Sequence, residues 1–299
     1  MRPLHVFLGI FTAAIWGFNF VVLKVALVDI PPLLLTALRF SFACLPVLFL
    51  AKPVGMTFKH MIAVGLTAFL GQYIFLFVAM KLGMPAGLSS VTLQLQVFIT
   101  ILLSIILLGE RPKRQQVLGG VVALLGLGTI ASTVGQGTSI PAIAMLFIVL
   151  AAATWATGNF IIKLAGPGAG FGTLSGVAWV SLVPILPAFA LSFVFEGPEQ
   201  WLHSWHVVRP ISIAALAFTV VLSTWAGFAI WGKLLSTYTA SVAAPFALLV
   251  PVFGGLSAYL ILGETLTPLR MIGSLMIFAG LAIILLPWNR IFSGNTLLS

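Results

Sequence analysis

Ten apolar stretches fill this 299-residue chain, and the second five echo the first five. Ile15-Trp16-Gly17-Phe18-Asn19-Phe20 runs on to Lys24, and Thr154-Trp155-Ala156-Thr157-Gly158-Asn159-Phe160 runs on to Lys163, so Trp and Lys keep one separation. Leu108-Gly109-Glu110 matches Leu262-Gly263-Glu264, and Gly119 and Gly126 then match Gly273 and Gly280 without a gap. An odd number of crossings per half forces the halves into opposite orientations. The expectation is an all-α integral membrane protein of ten transmembrane helices in two inverted five-helix repeats. The repeats should occupy 1–134 and 141–288, followed by a cytoplasmic tail at 289–299. Inverted repeats with interrupted helices at the bilayer midplane are a common build of secondary transporters.

Composition supports the membrane assignment independently. The chain is 61% hydrophobic and 6% charged, with a mean hydropathy of +1.21, more apolar sequence than a soluble core absorbs. Crossings are expected at Val6–Val25, Leu33–Leu50, Met61–Met80, Ala86–Leu108, Val117–Val134, Ala142–Ile162, Thr173–Phe195, Ile211–Gly232, Ala240–Leu262 and Met271–Pro287. Each approaches the roughly 20 residues that cover about 30 Å of hydrocarbon. The first stretch has a short basic start but no small-x-small cleavage site, and its Trp, Asn and Lys are matched in the sixth. It is expected to be a mature helix rather than a signal peptide.

A net charge of +9 raises the question of a nucleic-acid partner. The basic residues, however, are scattered at segment ends instead of gathered on one face, which excludes that reading. With the N-terminus inside, nine of them fall on the cytoplasmic side and four outside, with Arg39 left within the second crossing. That bias fits the positive-inside rule and puts both termini in the cytoplasm. The Arg111–Arg114 cluster should meet lipid headgroups. Cys44 stands alone in an apolar stretch, so there is no disulfide framework.

Polar residues inside membrane helices need a partner, a pore or water. Asn19 follows Trp16 by three residues and Asn159 follows Trp155 by four, so each pair shares a helical face. Those faces either line a path or bond neighbouring helices. Gln94 and Gln96 sit mid-way along the fourth crossing, about 200° apart around a helix, so one should face a cavity and the other a neighbour. Their counterparts in the ninth crossing are Leu248 and Val250, and that helix carries Pro245 and Pro251. Each proline frees a carbonyl one turn back, for a ligand, a hinge or a nearby side chain. Phe69, Tyr73 and Phe77 form an i, i+4, i+8 stripe, and Thr224, Phe228 and Trp231 a comparable one. Tyr73, Trp16, Trp155 and Trp231 stand out because their polar ends need partners when buried. Arg39 is expected to snorkel outward toward Asp29.

No Asp, Glu or His falls mid-way along any expected crossing, so no proton-carrying group is evident. HExxH, GxSxG, Walker and GxGxxG motifs are missing, and Asp29 is the single Asp, so the chain reads as a non-enzyme without cofactors. His203 and His206 flank Trp205 in the longest external connection, where interfacial anchoring is the simpler reading than a metal site.

Ile15–Lys24, Leu38–Phe40, Met84–Ser90, Leu107–Arg111 and Ala244–Gly254 together resemble the EamA-type branch of the drug/metabolite transporter superfamily. More narrowly, the chain is similar to bacterial exporters of O-acetylserine and cysteine. The resemblance covers nearly the whole chain. It implies a central cavity walled by crossings one, three, four, six, eight and nine, in a protein of the bacterial inner membrane. The expected partners are a small neutral amino acid or metabolite and membrane lipid, with a monomer or homodimer as the unit. The substrate-binding residues expected are Trp16, Asn19, Tyr73, Phe77, Gln94, Gln96, Trp155, Asn159, Phe228, Trp231 and Pro251, with export by alternating access. A broad-specificity drug exporter and a lipid-handling or receptor-like membrane protein remain as alternatives. The first crossing lacks the embedded Glu of small multidrug carriers, which weighs against proton antiport of cationic drugs.

Overall fold

A computed structural model describes residues 2–109, 111, 113–132, 140–238, 246–247, 249–265 and 267–285. Glu110, Pro245, Leu248, the junction at 133–139 and the tail at 289–299 lie outside the described residues. Within them all regular structure is helical. The helices are α1 (Pro3–Asp29), α2 (Pro32–Ala43), α3 (Phe58–Lys81), α4 (Ala86–Leu108), α5 (Arg114–Ala131) and α6 (Ala142–Ala165). They continue as α7 (Leu174–Ser181), α8 (Ile185–Phe195), α9 (Pro198–Val207), α10 (Pro210–Leu234), α11 (Leu249–Leu262) and α12 (Pro268–Leu285).

Proline opens α1, α2, α9 and α10 at a position whose N–H has no intrahelical partner anyway. α4 stops at Gly109, whose φ of +65° suits a residue without a Cβ. Prolines also interrupt. The second expected crossing ends as α-helix at Ala43 and continues as a 3-10 turn around Pro46 (Leu45–Leu48). The seventh is broken before Pro184, where α7 and α8 meet at a bend of 41°.

Six helices are long and apolar enough to cross a membrane: α1, α3, α4, α5, α6 and α10. The α7–α8 pair makes a seventh if it is one span, and Pro32–Leu48, α11 and α12 are shorter apolar helices. Large side chains such as Leu107, Leu124, Leu260 and Leu275 stand exposed on the outer faces. A belt of that kind is stable against lipid rather than water, and the chain is a multi-pass membrane protein.

The centre is built by α1 against α10 and α11, and by α6 against α3 and α4. Two of these helices share an irregularity. α3 carries a π segment at Gly65–Gly71 and α10 carries one at Thr219–Ala226, offset by the same 154 residues that separate Gly119 from Gly273. To one side α5 and α12 pack through their glycines. A Cβ on Gly119 would stand 2.5 Å from the Gly280 carbonyl oxygen, and one on Gly126 2.6 Å from that of Gly273. The backbones therefore touch where a side chain has no room.

Carboxylates tie the ends of the helices. Glu196 accepts from the backbone N–H groups of Leu33 (2.7 Å) and Leu34 (3.0 Å) at the start of α2. Glu264 does the same for Ala86 (2.8 Å) and Gly87 (3.0 Å) at the start of α4. Negative charge is favourable there because the orphan N–H groups and the helix dipole both point at it.

Candidate functional site

The π segments and a break in α4 shape a central cavity of about 340 Å³. α4 changes pattern where Gln94, Gln96 and Val97 donate their N–H groups to carbonyls three residues back. Tighter winding sets Gln94 and Gln96 about 120° apart instead of about 160°, and both line the cavity. That corrects the expectation that only one would do so. Gln96 Oε1 accepts from Asn159 Nδ2 at 2.7 Å, joining α4 to α6. Gln94 Nε2 lies 3.5 Å from the carbonyl oxygen of Ala247, which is the carbonyl that Pro251, four residues on, leaves without an intrahelical donor.

Opposite, Trp16 of α1 donates its indole N–H to the Ser223 carbonyl inside the π segment of α10 (2.9 Å). Its ring meets Phe228 and Trp231 with centroids 5.6 and 5.4 Å away, which makes an aromatic wall. Asn19, three residues further along α1, accepts from the Thr219 hydroxyl at 3.0 Å.

Arg39 is the residue that the sequence placed elsewhere. It sits seven residues into α2, about 10 Å along its axis, too far in to reach the outer mouth. Only 2% of it is exposed, and it faces the cavity. Its Nη2 donates to the Tyr73 hydroxyl (3.0 Å) and the Thr224 hydroxyl (3.1 Å), and its guanidinium lies 4.0 Å from the Tyr73 ring centroid. Nε and Nη1 have no partner. Asp29, the expected partner, instead pairs with Arg209 (2.9 Å) and accepts from Ser212.

Nine of the eleven expected residues line this cavity: Trp16, Asn19, Tyr73, Gln94, Gln96, Trp155, Asn159, Phe228 and Trp231. Phe77 and Pro251 are buried behind it, Phe77 edge-on to Tyr73. Sequence reasoning missed Arg39, Gln72 and Ser223 on the lining. For Arg39 a signal existed, since a cation inside an apolar stretch had no acid at helical spacing on its own helix. Among the described residues no Asp, Glu or His lines the cavity, and no cluster of metal-ligating side chains forms.

Apolar helices around a central, polar-spotted cavity define a membrane transporter for a small solute. The chain belongs to the EamA-like transporter family, whose model matches twice, over residues 3–132 and 142–286. It is a transporter rather than an enzyme. It is 38% identical over 93% of its length, and 93% of the other chain, to a Salmonella typhimurium protein described as a probable amino-acid metabolite efflux pump. An Escherichia coli protein of the same description is 36% identical over 92% of this chain and 93% of its own. A probable terminal-alkyne amino-acid exporter of Streptantibioticus cattleyicolor is 28% identical over 67% of this chain and 64% of its own. A solved structure, described only as a crystal structure of protein, shares the fold with a TM-score of 0.61 at 20% identity, over 95% of this chain and 96% of that one.

Proposed function

We propose that the protein exports small amino acids and amino-acid metabolites of the O-acetylserine and cysteine kind across a bacterial inner membrane by alternating access. The observation that carries this reading is one small cavity in which hydrogen-bonding side chains stand among aromatic rings. Both halves contribute to it: Gln94 and Gln96 from one, Asn159 and Thr224 from the other. The description of the two relatives as amino-acid metabolite efflux pumps supports the substrate class.

The six long helices, the bent pair and the three shorter apolar helices are read as ten crossings in two inverted repeats. The matched π segments and the reciprocal glycine contacts support that reading. Asn159, Gln94 and Gln96 are the proposed hydrogen-bonding contacts, with Asn19 held by Thr219 at their edge. Trp16, Tyr73, Trp155, Phe228 and Trp231 shape the pocket, and Phe77 and Pro251 support it from behind. Binding is weak, because a carrier must release what it binds.

Flux from proteoliposomes tests the proposal with labelled O-acetyl-L-serine, L-cysteine, other neutral amino acids and cationic dyes. Saturable movement of the amino acids with little of the dyes is expected. Dye movement alone would transfer the protein to broad-specificity drug export.

A further inference from the structure

We infer that Arg39 is the anchor for a carboxylate, so the cavity selects solutes that carry a free carboxyl group; this rests on the export reading above and specifies its substrate. Three observations converge on it. Arg39 is buried to 98% by its exposure of 2%, and arginine keeps its charge in proteins. Its Nε and Nη1 donors have no acceptor, although every other direction of the guanidinium is used by Tyr73 and Thr224. Among the described residues no carboxylate lines the cavity to balance it. A buried cation with open donors is expensive unless an anion reaches it.

The occupant must therefore bring the negative charge. Arg39 is the lone cationic side chain on the cavity lining among the described residues, which matches a single carboxylate better than a doubly charged phosphate. Guanidinium and carboxylate form strong charge-assisted hydrogen bonds. Tyr73 and Thr224 hold the Nη2 edge, which fixes the plane of the guanidinium; Nε and Nη1 are unpartnered but covered by protein, so the side chains over them must turn aside for a carboxylate to reach them. Among the described residues no fixed negative charge lines the cavity to meet the amino end, so a free ammonium is tolerated rather than required. The Gln94, Gln96 and Asn159 amides offer it neutral oxygens.

The test uses full-length protein in proteoliposomes with labelled O-acetyl-L-serine, competed by unlabelled N-acetyl-L-serine or L-serine methyl ester. N-acetyl-L-serine keeps the carboxylate and should compete, whereas the ester, which lacks it, should not. Arg39→Gln should weaken apparent affinity about ten- to a hundred-fold and erase the preference for the acid over the ester, and Arg39→Lys should restore part of both. Because Arg39→Gln removes a buried unpaired charge, it should fold at least as well, which thermal unfolding in detergent checks.

Binding is read separately by tryptophan quenching, since Trp16, Trp155 and Trp231 line the cavity. Equal competition by acid and ester, or unchanged affinity in Arg39→Gln, overturns the anchor and leaves export standing. Arg39-dependent quenching by N-acetyl-L-serine without flux of any amino acid overturns export and leaves the anchor standing.

Discussion

At the scale of single residues, hydrogen bonding inside the cavity is the quantity to measure. Asn159 donates to Gln96 at 2.7 Å in a part-buried site, so Asn159→Ala should weaken substrate affinity by about 0.5–1.5 kcal/mol, a few-fold to tenfold. Asn159→Ala and Gln96→Ala share a bond and should therefore be non-additive in a double-mutant cycle. Membrane abundance should stay near normal, and loss of the protein from the membrane would mark these amides as packing glue instead. Asn19→Ala should act in the same direction through Thr219, whose hydroxyl loses its acceptor.

The positions of Trp16, Asn159 and Tyr73 were legible in the sequence because an unpaired polar group in lipid has few places to go. Arg39 is different: along its own helix snorkelling toward Asp29 is the simplest outlet for the charge. A tyrosine and a threonine hydroxyl from two other helices meet the guanidinium instead. Those partners are 34 and 185 residues away in sequence, and spacing along one helix carries no information about them.

Helices make their own demands. Apolar length alone places α4 at its expected bounds and α3 and α6 within three residues of theirs, whereas α1 runs three residues further at its start and four at its end than expected. The irregularities do not follow from it. Nothing in Gly65–Gly71 or Thr219–Ala226 announces a π segment, since the extra residue per turn is selected by packing against α6 and α1. The broken pattern at Leu93–Val97 contains no proline, so the joint orientation of Gln94 and Gln96 was equally hidden. The glycine seam is more predictable. A valine at Gly119 would push its Cβ into the Gly280 carbonyl, 2.5 Å away. Gly119→Val should destabilise the protein by about 1–3 kcal/mol, the usual cost of overpacking. Gly120→Val is the control, because no atom lies within 4 Å of a Cβ placed there. Thermal unfolding in detergent should separate the two, and equal losses would mean that α5 and α12 are held by something other than backbone contact.

For the molecule as a whole, topology and energy supply are the open quantities. Reporters fused in the Arg111–Arg114 loop and after Ser299 should read cytoplasmic, and one near Glu199 external, from the nine-to-four basic bias. An external C-terminus would remove the inverted five-plus-five scheme. Energy coupling follows from the charges lining the cavity. No titratable acid or histidine faces it among the described residues, and Glu264 is occupied at the start of α4. O-acetyl-L-serine, a zwitterion, moves no net charge, so neither a pH step nor a potassium diffusion potential should drive it uphill. N-acetyl-L-serine carries one negative charge and should respond to voltage by about 2.3 kcal/mol per 100 mV. Accumulation of the zwitterion powered by pH alone would point to a proton carrier outside the described residues or at Glu264.

The glycine seam also bears on descent. Gly119 meets Gly280 while Gly126 meets Gly273, so each of two equivalent positions touches the other's counterpart. A two-fold homodimer has a contact of that form. On the inverted-repeat reading, two separate five-helix copies inserted in opposite directions would make this seam between them, and joining two gene copies would preserve it. What joining adds is freedom to diverge. A dimer of identical chains must carry every substitution twice, whereas a fused chain can place amides at Gln94 and Gln96 and leave Leu248 and Val250 apolar at the matching positions. Joining the copies would thus have allowed a symmetric frame to hold an asymmetric solute.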